Sequence, residues 1–174
     1  MVNIINKFFV IFRSLYIQVP FQKKSIFNGF RIGKDSRINN PSSITIGDKV
    51  NIGKDSVLNC DRNKSRALII GNNVYIGRDS QINAYESVVI EDSALIGDRV
   101  YISDATHNQF NYEQPIKDQG TRFQGHVCIK SGSWIGIGVA IMPGAIIGKN
   151  SIVGGVPVKI IKVGEVSNAP KLGF

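Results

Sequence analysis

Two histidines, His107 and His126, are the side chains here best suited to exchange a proton near neutral pH, and they flank an irregular stretch of an otherwise regular chain. The stretch begins in "VYISDATHNQFNYEQ" (100–114) and runs from about 105 to 125. Asp104 stands three residues before His107 and is a candidate to orient its imidazole. Alternation along a strand puts positions 104 and 107 on opposite faces, which argues against direct contact. A three-histidine zinc site needs more imidazoles than one chain supplies. Cys60 and Cys128 have no metal-ligand spacing and read as small buried apolar residues. Isolated thiols suit a reducing, cytoplasmic compartment.

The elements that must position His107 follow from a six-residue beat. Eight Ile-Gly pairs mark it, at 32–33, 46–47, 52–53, 70–71, 76–77, 96–97, 135–136 and 147–148. Longer segments repeat around them, as in "IGDKVNIGKDSVLN" (46–59) and "IGNNVYIGRDSQIN" (70–83). A period of six fits neither a lone helix nor a hairpin sheet. It fits stacked coils, each face a short strand and a corner. The aliphatic residue points inward, and the following glycine permits positive φ or a tight corner. Asn39, Asn59 and Asn83 occupy equivalent repeat positions and are expected to stack as a ladder. Coils bury their faces only against neighbours, so the ends need caps and the flat outer faces stay open to other subunits.

The formal charge of +8 is concentrated at the two ends, with a slightly acidic middle. No dense basic patch with interleaved aromatics appears, which argues against nucleic acid. Residues 1–30 form the lead-in. "MVNIINKFFVIFRSLYIQVP" is interrupted by Lys7 and Arg13 and lacks a cleavage site, so it reads as an amphipathic helix ended by Pro20 rather than a signal peptide or a membrane span. It caps the fold or lies peripherally on the inner membrane face, aided by Lys23 and Lys24. The repeats occupy 31–163, and 164–174 is a tail.

The "IGxxVxIG" and "WIG" segments, "ISDATH" before a loop, "MPGAIIG" and the closing "GGVPVKIIK" resemble the hexapeptide-repeat acyltransferases, nearest the sugar and polysaccharide O-acetyltransferases. The resemblance implies an all-β fold, a left-handed parallel β-helix, with the loop at 105–125 projecting over a neighbouring subunit of a homotrimer. It implies acetyl-CoA as acyl donor and no metal. It implies His107 as general base, taking the proton of an acceptor hydroxyl as that hydroxyl attacks the thioester. Trp134, Gly136 and Ile137 match the segment lining the CoA groove, and Lys159 and Lys162 match cations that reach its phosphates. Asn83, Asp104 and Tyr112 are the candidate acceptor contacts, while His126 reads as structural.

The chain departs from the family where "IGKNS" runs straight into "IVGGVP", without the further coil of about fifteen residues that relatives insert there. Gly77 stands where one branch has an asparagine assisting the base. Three functions therefore stay open. The first is O-acetylation of a sugar or surface polysaccharide. The second is N-acetylation of a nucleotide-linked amino sugar, since a histidine base serves both. The third is a β-helix that binds without catalysing.

Overall fold

The structure, a computed structural model, describes residues 28–155 and 159–162. The expected N-terminal helix and the 164–174 tail lie outside the described residues.

Strands of two to four residues, too short to stand alone, follow one another around a triangle. The first coil is β1 (Arg31–Ile32), β2 (Arg37–Asn39) and β3 (Ile44–Ile46). The second is β4 (Asn51–Ile52), β5 (Val57–Cys60) and β6 (Leu68–Ile70), and the third β7 (Tyr75–Ile76), β8 (Gln81–Ala84) and β9 (Val88–Ile90). The fourth runs through β10 (Leu95–Ile96) and β11 (Tyr101–Ser103). It leaves the triangle as a hairpin, β12 (Ala105–His107) and β13 (Thr121–Phe123), and returns as β14 (Val127–Ile129). The fifth is β15 (Trp134–Ile135), β16 (Ala140–Ile141) and β17 (Ile146–Ile147), and β18 (Ile152–Gly154) opens a sixth.

Each strand pairs in parallel with its equivalents above and below, which makes three sheets. Face A stacks β1, β4, β7, β10, β15 and β18; face B stacks β2, β5, β8, β11 and β16; face C stacks β3, β6, β9, β14 and β17. The chain is thus the parallel β-helix that the hexad beat predicts. Ile32, Ile52, Ile76, Ile96 and Ile135 stand in register along face A and are fully buried. Removing each such side chain from water is worth about 1.5–3 kcal/mol. After β18 the chain turns back. β19 (Lys159–Lys162) pairs antiparallel with β18, covering the open edge where another coil would stack.

The corners explain the Ile-Gly pairs. A Cβ on Gly53 would sit 2.4 Å from the Arg78 nitrogen, and one on Gly77 2.4 Å from the Gly97 carbonyl carbon. Close approach of successive coils therefore demands the glycine. The positive φ falls two residues later, on Asp35, Asp55, Asp79 and Arg99, so that part of the expectation is corrected. Buried serines complete these corners. Ser56 Oγ donates to the Gly77 carbonyl (3.0 Å), and Ser80 Oγ to that of Gly97 (3.2 Å).

Candidate active site

His107 ends β12, opposite Thr121 of β13, and the ribbon continues one step through the Asn108 N–H donating to the Gly120 carbonyl (2.9 Å). The backbone thus fixes His107 at the rim of the hairpin while its side chain is exposed. Beside it lies a cavity of about 680 Å³. Its floor is the outer surface of face B, with Asn59, Gln81, Asn83 and Tyr101. The hairpin forms one wall through Thr106, His107 and Thr121. The corner after β5 forms the opposite wall through Asp61, Arg62 and Asn63.

The floor is an ordered hydrogen-bond array. Asn39, Asn59 and Asn83 stand in register on three successive coils. Asn39 Nδ2 donates to Asn59 Oδ1, and Asn59 Nδ2 to Asn83 Oδ1 (2.9 Å). Asn83 Nδ2 then donates to Tyr101 Oη (3.2 Å). The predicted ladder is present, and Asn83 belongs to it while lining the cavity.

Asp104 has a different task from the one its sequence position suggests. It is fully buried, and its carboxylate accepts the backbone N–H groups of Tyr85 (2.7 Å), Glu86 (2.8 Å) and Ser87 (2.7 Å). Its own carbonyl accepts from Gln124 (3.0 Å) and Gly125 (3.3 Å). Asp104 therefore ties the preceding coil to both legs of the hairpin. No hydrogen bond joins it to His107, and it is not among the residues that line the cavity; its carboxylate is taken up by this backbone clamp. Tyr112 is 95% exposed at the hairpin's far end, outside the lining of this cavity. The tip is organised by Gln119, whose side-chain amide donates to the Asn111 and Gln114 carbonyls (2.7 Å each). His126 is exposed and packs its ring against Phe123, centroids 4.8 Å apart.

Cys60 borders the cavity as a free, buried thiol. Burial, then the Asp104 charge, pushes its pKa up to about 12, which leaves it without nucleophilic thiolate. The Cys128 thiol is raised too, by burial first and then by the Glu91 carboxylate, with Lys130 opposing. Among the described residues no three His, Cys, Asp or Glu side chains gather as a metal site.

The residues matched to a CoA groove lie elsewhere on the triangle. Trp134 points outward from face A, in register with Leu95 and Ile152, and is 48% exposed. Gly136 and Ile137 form the corner from face A to face B, with Ile137 exposed. Lys159 and Lys162 fall on β19, which extends face A. One chain therefore holds the histidine cavity and the matched CoA segment on different sides. Sequence reasoning missed Tyr101 and the Asp61–Asn63 wall. The longer interval between β5 and β6 was the available signal for that wall.

No family model matches the chain. It is 31% identical over 141 residues to the probable acetyltransferase Rv3034c of Mycobacterium tuberculosis, covering 72% of this chain and 39% of that protein. It is 32% identical over 99 residues to WbbJ of Escherichia coli, named a putative lipopolysaccharide biosynthesis O-acetyl transferase, covering 44% and 50%. The chain thus spans half or less of these relatives. Among solved structures, AntD, an N-acyltransferase from Bacillus cereus in complex with dTDP and 3-hydroxybutyryl-CoA, superposes with a TM-score of 0.67. That match has 20% identity and covers 88% of each chain. Sequence and fold therefore agree on the resemblance to hexapeptide-repeat acyltransferases.

Proposed function

We propose that this chain, built as a hexapeptide-repeat acyltransferase, moves an acetyl group from acetyl-CoA to a hydroxyl of a sugar or surface-polysaccharide precursor, with His107 as general base. The observation that carries the reading is the placement of His107: a rim imidazole over a cavity floored by side-chain amides and a phenol, a lining suited to a polyhydroxylated acceptor. The acceptor hydroxyl loses its proton to the imidazole as its oxygen attacks the thioester carbonyl. The collapse of the tetrahedral intermediate expels the CoA thiolate, which takes up a proton. No covalent enzyme intermediate is needed, in keeping with the buried, protonated Cys60.

A homotrimer joins the two halves of the site. The cavity on face B of one subunit would meet Trp134, Gly136 and Ile137 of a neighbour, with Lys159 and Lys162 reaching the CoA phosphates. The exposed hairpin, Tyr112 included, would lie over that neighbour. The sugar class follows WbbJ. Amine acylation is the second reading, favoured by the near-complete overlap with AntD. Peripheral contact with the inner membrane face through residues 1–30, in the cytoplasm, completes the proposal.

The test is acceptor-dependent release of CoA thiol from acetyl-CoA, with the product weighed before and after mild alkali. Mass loss in alkali marks the ester, and survival marks the amide. A folded protein that binds no acetyl-CoA at millimolar concentration would instead be a non-catalytic β-helix.

A further inference from the structure

We propose that the Tyr101 hydroxyl is a specificity-determining hydrogen-bond donor to the acceptor, aimed into the cavity by the asparagine ladder beneath it. The proposal deepens the acetyl-transfer reading and rests on it for the identity of the ligand as a sugar.

The direction of the ladder decides the argument. Asn83 Oδ1 accepts two hydrogen bonds, from Asn59 Nδ2 (2.9 Å) and from Gln81 Nε2 (3.2 Å). Those donors fix the Asn83 amide so that its nitrogen faces Tyr101 and donates to Oη. A phenol oxygen that accepts this bond keeps its own proton for another partner. No hydrogen bond among the described residues takes that proton, and Tyr101 lines the same cavity as His107. Chained donors polarise one another in the same sense, so each amide below strengthens the phenol as a donor.

The ladder also changes at the right place. Ser103, not an asparagine, follows Asn83 in register. Ser103 is buried beside the hairpin, its hydroxyl donating to the Ala105 carbonyl (2.9 Å). Where the hairpin leaves the triangle, the array therefore passes to Tyr101, two residues earlier on the same strand. A donor there suits an oxygen next to the reacting atom, a neighbouring hydroxyl or the ring oxygen of a pyranose. Sites built to pair a substrate hydroxyl discriminate strongly against analogues lacking it.

The test compares wild type, Tyr101→Phe, Asn83→Asp and the double variant on methyl glycopyranosides and their monodeoxy analogues. Binding is read by saturation-transfer NMR and turnover by thiol release. In Asn83→Asp the carboxylate accepts the Tyr101 proton and turns it away from the cavity. The existing Asn59 and Gln81 donors still satisfy its other oxygen. Both single variants are expected to weaken the glycoside about tenfold and to erase the preference over one deoxy analogue. Affinity for acetyl-CoA stays unchanged, and the double variant is no worse than either single. Thiol release with Tyr101→Phe at wild-type affinity and preference overturns the Tyr101 assignment and leaves acetyl transfer standing. Glycoside binding that depends on Tyr101, without thiol release, supports the assignment and overturns acetyl transfer.

Discussion

The three corner lines of the triangle differ in how much they tolerate. Every A-to-B corner is four residues long: 33–36, 53–56, 77–80, 97–100 and 136–139. So is every C-to-A corner, from 47–50 to 148–151. The B-to-C corners run 40–43, 61–67, 85–87, 104–126 and 142–145. Each corner of the first two lines holds a residue at positive φ, and most open on a glycine with the next coil's backbone against it. The third accepts insertions, and both walls of the His107 cavity are two of them. The solenoid thus confines irregular backbone to one edge, so loops on different coils meet above a single flat face.

The largest test of that division separates chemistry from folding. Replacing His107 with alanine should lower turnover by about 10²–10⁴, with melting temperature and oligomeric state unchanged. A fixed corner should behave oppositely. Gly77→Ala puts a methyl into the backbone of Gly97 and Asp98 and should cost about 3 kcal/mol or more. Thermal unfolding measures this, and a stable Gly77→Ala protein would break the distinction between the corner lines.

How much of this was readable from sequence follows the same division. The aliphatic ladders were legible because each inward position repeats on the next coil, so one register fixes all the others. The Asn39–Asn59–Asn83 stack was legible for the same reason. The role of Asp104 was not, because its partners Tyr85–Ser87 belong to the coil below, nearly a full turn earlier in the chain. Tyr101 escaped because it breaks the register, entering the ladder two residues before the repeat position. The glycines were read as turn-formers when packing between coils was the cause. Trp134 and His107 are matched by family pattern, but a single chain sets them on different faces.

Asp104 provides an intermediate effect, since it belongs to the variable line yet anchors it. Asp104→Asn keeps the shape but turns an NH2 group towards a backbone donor. The expected loss is about 1–3 kcal/mol, or roughly 2–4 °C of melting temperature per kcal/mol. Hydrogen exchange should quicken at Tyr85–Ser87 and at Gln124–Gly125 together, because one residue holds both. Faster exchange at only one of the two would show that the hairpin does not depend on the clamp.

A smaller effect than that of Asp104 is expected at the other wall. Replacing Arg62–Arg66 with Asn-Gly would shorten the 61–67 corner to the length of its neighbours. Asp61, whose N–H donates to the Ala84 carbonyl, and buried Ala67 are kept. Arg66 already has φ 61°, the region that glycine adopts freely. The Lys64–Glu86 ion pair is lost, but both partners are well exposed and such pairs contribute little. Stability should therefore stay within about 0.5 kcal/mol of wild type. The cavity, however, loses the wall built by Arg62 and Asn63, so the Michaelis constant for the acceptor should rise while that for acetyl-CoA does not. A cooperative loss of fold would place 61–67 with the fixed corners. An unchanged acceptor constant would leave the hairpin and the floor as the whole acceptor site.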